Sequence, residues 1–159
     1  MLKKFIFTTA VSLTLTASLS ATYASQIPDT KSFPRILSTV QFPQTKWGIM
    51  RHSFKLQIPQ NSNAITQINI EVPPGLSVKN DFSIYDQSGR KIQANITVNG
   101  SKIAIAFAQV VAPANILNID MNKVKRRGTS NAWLYRVSAK FVGSDAEIPV
   151  GVAQFRIYL

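Results

Sequence analysis

Two short runs on either side of Asn99-Gly100 alternate apolar and polar residues one by one. "KIQANITV" (91–98) puts Ile92, Ala94, Ile96 and Val98 in phase, and "KIAIAF" (102–107) does the same with Ile103, Ile105 and Phe107. A period of two is the signature of a strand with one buried face. Asn-Gly between two such runs accepts the positive φ angles of a two-residue hairpin turn. A chain that contains this unit must build a sheet and then cover one face of it.

The same period runs through the rest of the sequence. A first apolar run covers Ile36 to Phe42, and "PQTKWG" turns the chain. In "MRHSFKLQIP", Met50, His52, Phe54, Leu56 and Ile58 share one face, and Pro59, which lacks an N–H, ends the ladder. Ile65 to Val72 alternates again, "PPG" breaks the chain, and Phe82 and Ile84 make a short strand before the "DQSGR" turn. "QVVAPAN" (109–115) has the composition of a loop, and Leu117, Ile119 and Met121 form the next strand. Trp133, Tyr135, Val137, Ala139 and Phe141 share a face, as do Ala153, Phe155, Ile157 and Leu159. No stretch has the pattern of an amphipathic helix. Short strands at regular spacing predict an all-β fold: a single immunoglobulin-like antiparallel β-sandwich of about 8–9 strands. The runs are short for a membrane barrel, whose strands need ~9–11 residues.

The N-terminus has the order of an export signal: Lys3 and Lys4, an apolar stretch to about Ala21, then small residues up to Ala24. The expected organisation is a secretory signal at 1–24, a leader at 25–34 with two prolines, and a sandwich domain at 35–159. The protein is then exported to the periplasm, the cell surface or the medium. Of 18 Lys and Arg, two lie in the signal, which leaves 16 against 7 Asp and Glu. This balance favours anionic partners or surfaces. Cysteine is absent, which excludes disulfides, thiol catalysis and cysteine-ligated metal.

The order of motifs has a family look. After the signal come "HSFKLQIP" (52–59), "INI" (68–70), "IYDQSG" (84–89), "IAIAFAQVVAPANILNI" (103–119), "YRVSAKFVG" (135–143) and "GVAQFRIY" (151–158). Over residues 36–158 this resembles a family of exported cyanobacterial domains of unknown function. The resemblance implies a bacterial envelope location and a β-sandwich, and it brings no activity, cofactor or catalytic residue. The chain departs from that pattern near 122–130, where it carries a basic run.

Catalytic chemistry has little support. The single histidine, His52, lies on an apolar strand face, and the expectation is a histidine at the edge of the core. A Ser-His-Asp arrangement would need a nucleophile and a carboxylate beside it. The carboxylates are Asp29, Glu71, Asp81, Asp86, Asp120, Asp145 and Glu147, and glycoside hydrolysis needs two of them across a cleft. Asp81, Asp86 and Asp145 sit in or beside turns, where Asp has backbone reasons to be. Met50 and His52 share a face, and thioether with imidazole suits copper, but such a site needs more soft ligands than the chain offers. The expectation is no enzyme, no cofactor and no metal.

Two features remain as candidate contacts. Lys123, Lys125, Arg126 and Arg127 place four cations in five positions, and Gly128, Ser130 and Asn131 supply turn chemistry after them. The first expectation is a solvated basic loop at one end of the sandwich. The second is a surface for acidic lipid or polysaccharide. An export signal upstream argues against nucleic acid. Trp47 sits in a turn between Lys46 and Gly48; packing is the first expectation and an aromatic contact the second. The function expected is a non-catalytic exported module that binds or scaffolds in the cell envelope, with another envelope protein, an anionic polymer or a membrane surface as partner. The alternative is a dedicated binder of an anionic surface through the basic loop.

Overall fold

The alternating runs become ten strands in the computed structural model, which describes residues 33–157. The expected signal, most of the leader, and Leu159 lie outside the described residues. The strands are β1 (Arg35–Phe42), β2 (Ile49–Ile58), β3 (Ile65–Glu71), β4 (Leu76–Val78), β5 (Phe82–Tyr85), β6 (Ala94–Asn99), β7 (Lys102–Val111), β8 (Asn115–Arg126), β9 (Ala132–Phe141) and β10 (Ile148–Arg156). One sheet has the order β1-β2-β8, with β4 and β5 sharing the far edge of β8. The other has the order β10-β9-β3-β7-β6. Every pair is antiparallel, and the two sheets form the expected β-sandwich.

The in-phase residues meet between the sheets. Phe54, Leu56 and Ile58 of β2, with Leu117, Ile119 and Met121 of β8, face Ile68, Ile70, Ile103, Ile105, Tyr135, Val137 and Phe155, and all are buried. Fully burying an aliphatic or Phe side chain is worth about 1.5–3 kcal/mol, so this layer dominates folding. The hairpin joins β6 and β7 as expected, but its turn falls one residue later than Asn99-Gly100: Asn99 pairs with Lys102, and Gly100-Ser101 are the two loop residues.

Three expectations change. A tenth strand, β4, lies in the stretch after "PPG", too short for a periodic pattern to show. β7 continues to Val111, so the supposed loop at 109–115 shrinks to the residues between Val111 and Asn115. β8 runs to Arg126, so Lys123, Lys125 and Arg126 lie in a strand and not in a loop.

Bulges in β8 and β1 set which side chains face inward at one end of the first sheet. Met50 pairs with Val124 but His52 pairs with Met121, so β8 carries one extra residue at Asn122–Lys123. Met121 and Val124 are therefore both buried, three apart. In β1, Ile36 pairs with Leu56 and Ser38 with Lys55, so Leu37 is extra. One extra residue exchanges the two faces of everything that follows it. Thr39 and Gln41 then turn inward, opposite Phe54 and His52, while Val40 and Phe42 turn outward.

Candidate functional site: an aromatic and basic end of one sheet

The bulge at Leu37 leaves Phe42 62% exposed, and Trp47, in the turn between β1 and β2, is 81% exposed. Val40 and Ile49 are exposed as well. Phe42 is directly opposite Arg51, Ile49 opens the same strand two residues earlier, and Trp47 precedes Ile49 by two residues in the chain. The packing expectation for Trp47 is not met, because the turn holds its indole away from the core.

The turn is pinned from beneath by polar groups. The Gln41 side-chain amide is buried and donates to the carbonyls of Pro43 (3.3 Å) and Thr45 (3.0 Å). Its oxygen accepts from His52 Nε2 at 3.1 Å. That leaves His52 Nδ1 to accept from the Tyr135 hydroxyl at 2.7 Å. The imidazole also stacks on Phe155, with centroids 4.3 Å apart. His52 is thus inside the core rather than at its edge, and both ring nitrogens are engaged, which removes it as a metal ligand or catalytic base. Burial lowers its pKa to about 4 and pushes that of Tyr135 up. Alternation alone does not point to Gln41, because its inward direction depends on the bulge.

The basic residues distribute around this end. Lys125 faces outward directly across from Ile49. Arg51 lies in the next row, its guanidinium 5.6 Å from the Phe42 ring centre. Lys46 precedes Trp47 in the turn. Lys123 is exposed but tied to Asp81 at 2.9 Å, which raises its own pKa and lowers that of Asp81. Arg126 folds back: its Nε donates to the Gly128 carbonyl, and its guanidinium lies 5.8 Å from the Trp133 ring. Arg127 is exposed, and its N–H reaches the Gly75 carbonyl. The four cations of the run therefore have different surroundings. Lys125 is the one that the β2–β8 pairing sets beside the aromatic turn.

Among the described residues, which leave out Asp29, the carboxylates do not form a poised pair. A hollow of 350 Å³ on the outer face of the second sheet is lined by Glu71, Glu147, Arg136, Asn69 and Ser138. Glu71 faces Arg136 at 3.5 Å, and Glu147 accepts from the Ser138 hydroxyl, which holds it below the usual carboxylate range. A glycosidase acid is held above that range, so Glu147 does not fit the role. Asp86 serves its turn: Ser88 and Arg90 both donate to it, with the Ser88 hydroxyl foremost, and its pKa falls to about 2. Among the described residues, no three His, Cys, Asp or Glu gather as a metal site.

Among solved structures, the chain is similar to the N-terminal domain of the Streptococcus gordonii adhesin Sgo0707, at 9% identity with a TM-score of 0.55. The match covers 79% of this chain and 32% of that one, so this chain spans less than half the length of that relative. It is also similar to BslA, a bacterial hydrophobin, at 12% identity with a TM-score of 0.54, over 79% of this chain and 94% of that one. At such identities the likeness is one of fold. No curated protein matches the sequence. Residues 30–157, which include all ten strands, match the family described as "Protein of unknown function (DUF2808)", and the chain belongs to that family.

Proposed function

We propose that the protein is a non-catalytic, exported β-sandwich module that binds or scaffolds in the cell envelope, and that it meets an anionic surface through the Trp47 end. The observation that carries this reading is the inversion in β1. Gln41 is buried while Val40 and Phe42 of the same strand face solvent. Stability alone favours the opposite arrangement, since an apolar side chain gains from burial and a polar one must find partners. The exposed apolar group is bordered by Lys46, Arg51 and Lys125. Each such cation near an anionic surface contributes ~1 kcal/mol, reduced by salt.

Two further points support the reading. The N-terminal 24 residues have the order of a secretory signal, which suits the periplasm, the cell surface or the medium. The sandwich fold is also that of an adhesin domain and of a hydrophobin. The test is retention of the protein on heparin and on anionic vesicles across a salt series, before and after Lys46, Arg51 and Lys125 are replaced by Ser. Retention should fall and its salt dependence should flatten. Unchanged retention would refute the reading, as would an equal loss from replacing Lys79, Lys91 and Lys102 instead.

A further inference from the structure

Resting on the reading above, we propose that the anionic surface is a lipid bilayer, and that Trp47, Phe42 and Ile49 enter its headgroup boundary while Lys46, Arg51 and Lys125 stay at the phosphates. The centre of the patch lacks hydrogen-bonding side chains. A polysaccharide is recognised by flat rings that stack only together with hydrogen-bonding side chains around them. Here the cations border Phe42 and Ile49, with Val40 in the next row, and two of these three are branched aliphatics with no polar atom in the side chain. Branched aliphatic surface gains from leaving water for acyl chains, not from facing sugar hydroxyls.

The placement of the charges agrees. Arg51 lies against the Phe42 ring, so its stem can follow the aromatic inward while the guanidinium remains at the polar level. Trp47 stands at the tip of a turn with Lys46 on one side and Gly48, at a φ of 91°, on the other. Tryptophan has an apolar body and one N–H donor, and membrane–water boundaries favour it for that reason. Two acids of this sheet adjoin the patch, but both are engaged: Asp81 is paired with Lys123, and Asp120, opposite Ser53 in the row of Val40, is buried and accepts from the Asn118 amide. Nothing in the apolar group opposes a negative surface, and the complement of its basic border is a layer of lipid phosphates. The turn is also stiffened in advance by Gln41, so little ordering is left for binding to impose.

The two tryptophans make the proposal directly readable. Trp133 is 2% exposed and Trp47 is 81% exposed, so a change of emission on binding reports Trp47. The protein is mixed with vesicles of phosphatidylglycerol and phosphatidylcholine, with pure phosphatidylcholine vesicles, or with heparin, and both binding and emission are recorded. With anionic vesicles the emission should shift to the blue and be quenched by lipids brominated near the headgroup end of their chains. Heparin should give no shift. Trp47→Ala should abolish the shift, leave the Trp133 emission and the thermal melt unchanged, and lower vesicle partition by roughly tenfold. Binding to anionic vesicles without shift or quenching would overturn insertion and leave the anionic-surface reading standing. Binding to heparin alone would do the same and identify a polysaccharide. Equal partition into neutral vesicles would overturn the role of lipid charge, and binding to none of the three would overturn both readings.

Discussion

The Tyr135 hydroxyl donates to His52 Nδ1 at 2.7 Å across the interior of the sandwich, joining β9 of one sheet to β2 of the other. The bond continues through His52 Nε2 to Gln41 and from there to the carbonyls of the Trp47 turn. A buried polar chain of this kind is stable when every member is satisfied and costly when one is not. It is satisfied here with the imidazole neutral. The same chain that links the sheets also fixes the exposed turn.

Stability should therefore fall in mild acid. Unfolded His52 takes up a proton near 6.5 and folded His52 near 4. Between these values the unfolded chain binds more protons, so the contribution is intact above 6.5, declines as pH falls, and is lost below about 4. The full loss is about 3 kcal/mol. Denaturant titrations from pH 7 to pH 4 should show this slope, and His52→Gln should flatten the part between 6.5 and 4.5. A variant with an unaltered slope would contradict the assignment.

Gln41→Ala should act on both core and surface. It leaves His52 Nε2–H and the Pro43 and Thr45 carbonyls without their partner, at a cost of about 1–3 kcal/mol. Amide exchange at Thr45 and Trp47 should speed up more than exchange in β3 or β9. Equal acceleration everywhere would mean that Gln41 has no special hold on the turn.

Gly75 has two reasons to be glycine. Its φ is 87°, and a Cβ there would lie 3.0 Å from the Trp133 ring and 3.3 Å from the Gly128 backbone. Gly75→Ala should cost about 1–3 kcal/mol through strain and contact together. The unfolding midpoint should shift with little change in the denaturant slope. A neutral result would mean that the 72–75 loop moves freely away from Trp133.

Ala114 presents the reverse case, a residue with a Cβ at a φ of 58°. Ala114→Gly should stabilise the protein by about 0.5–1 kcal/mol, the relief of left-handed strain less the entropy glycine retains when unfolded. A lower melting temperature would show that the 112–114 turn adapts to its alanine.

Much of the sandwich could be read from phase alone. Met50 to Ile58 and Trp133 to Phe141 alternate without interruption, and their inward residues are the ones alternation picks out. His52 on its apolar face and Trp133 in the core follow from the same pattern. The outward turn of Phe42 was hidden, because one extra residue at Leu37 leaves the composition of the run unchanged while exchanging its faces. The neighbourhood of Ile49 and Lys125 was hidden for another reason. β2 and β8 are far apart in sequence, and only their pairing brings the aromatic turn beside a cation of the basic run. Of the candidate site, the sequence showed Trp47 and Lys125 as separate residues. Phe42, Ile49 and Gln41 required the sheet.

The direction of β1 and β10 has a mechanical consequence. Both strands run toward the Trp47 end: Phe42 closes β1 there opposite Arg51, and Arg156 closes β10 opposite Ala132. They lie side by side across the seam between the sheets, where the Thr39 hydroxyl donates to the Gln154 carbonyl. Phe33 sits at the opposite end, sharing a hollow with Asn63 and Ser144. Tension applied between residues 33 and 157 would therefore pull β1 and β10 lengthwise in opposite directions. Their ladders to β2 and β9 would be loaded in shear, with many hydrogen bonds sharing the force at once, rather than peeled open one rung at a time.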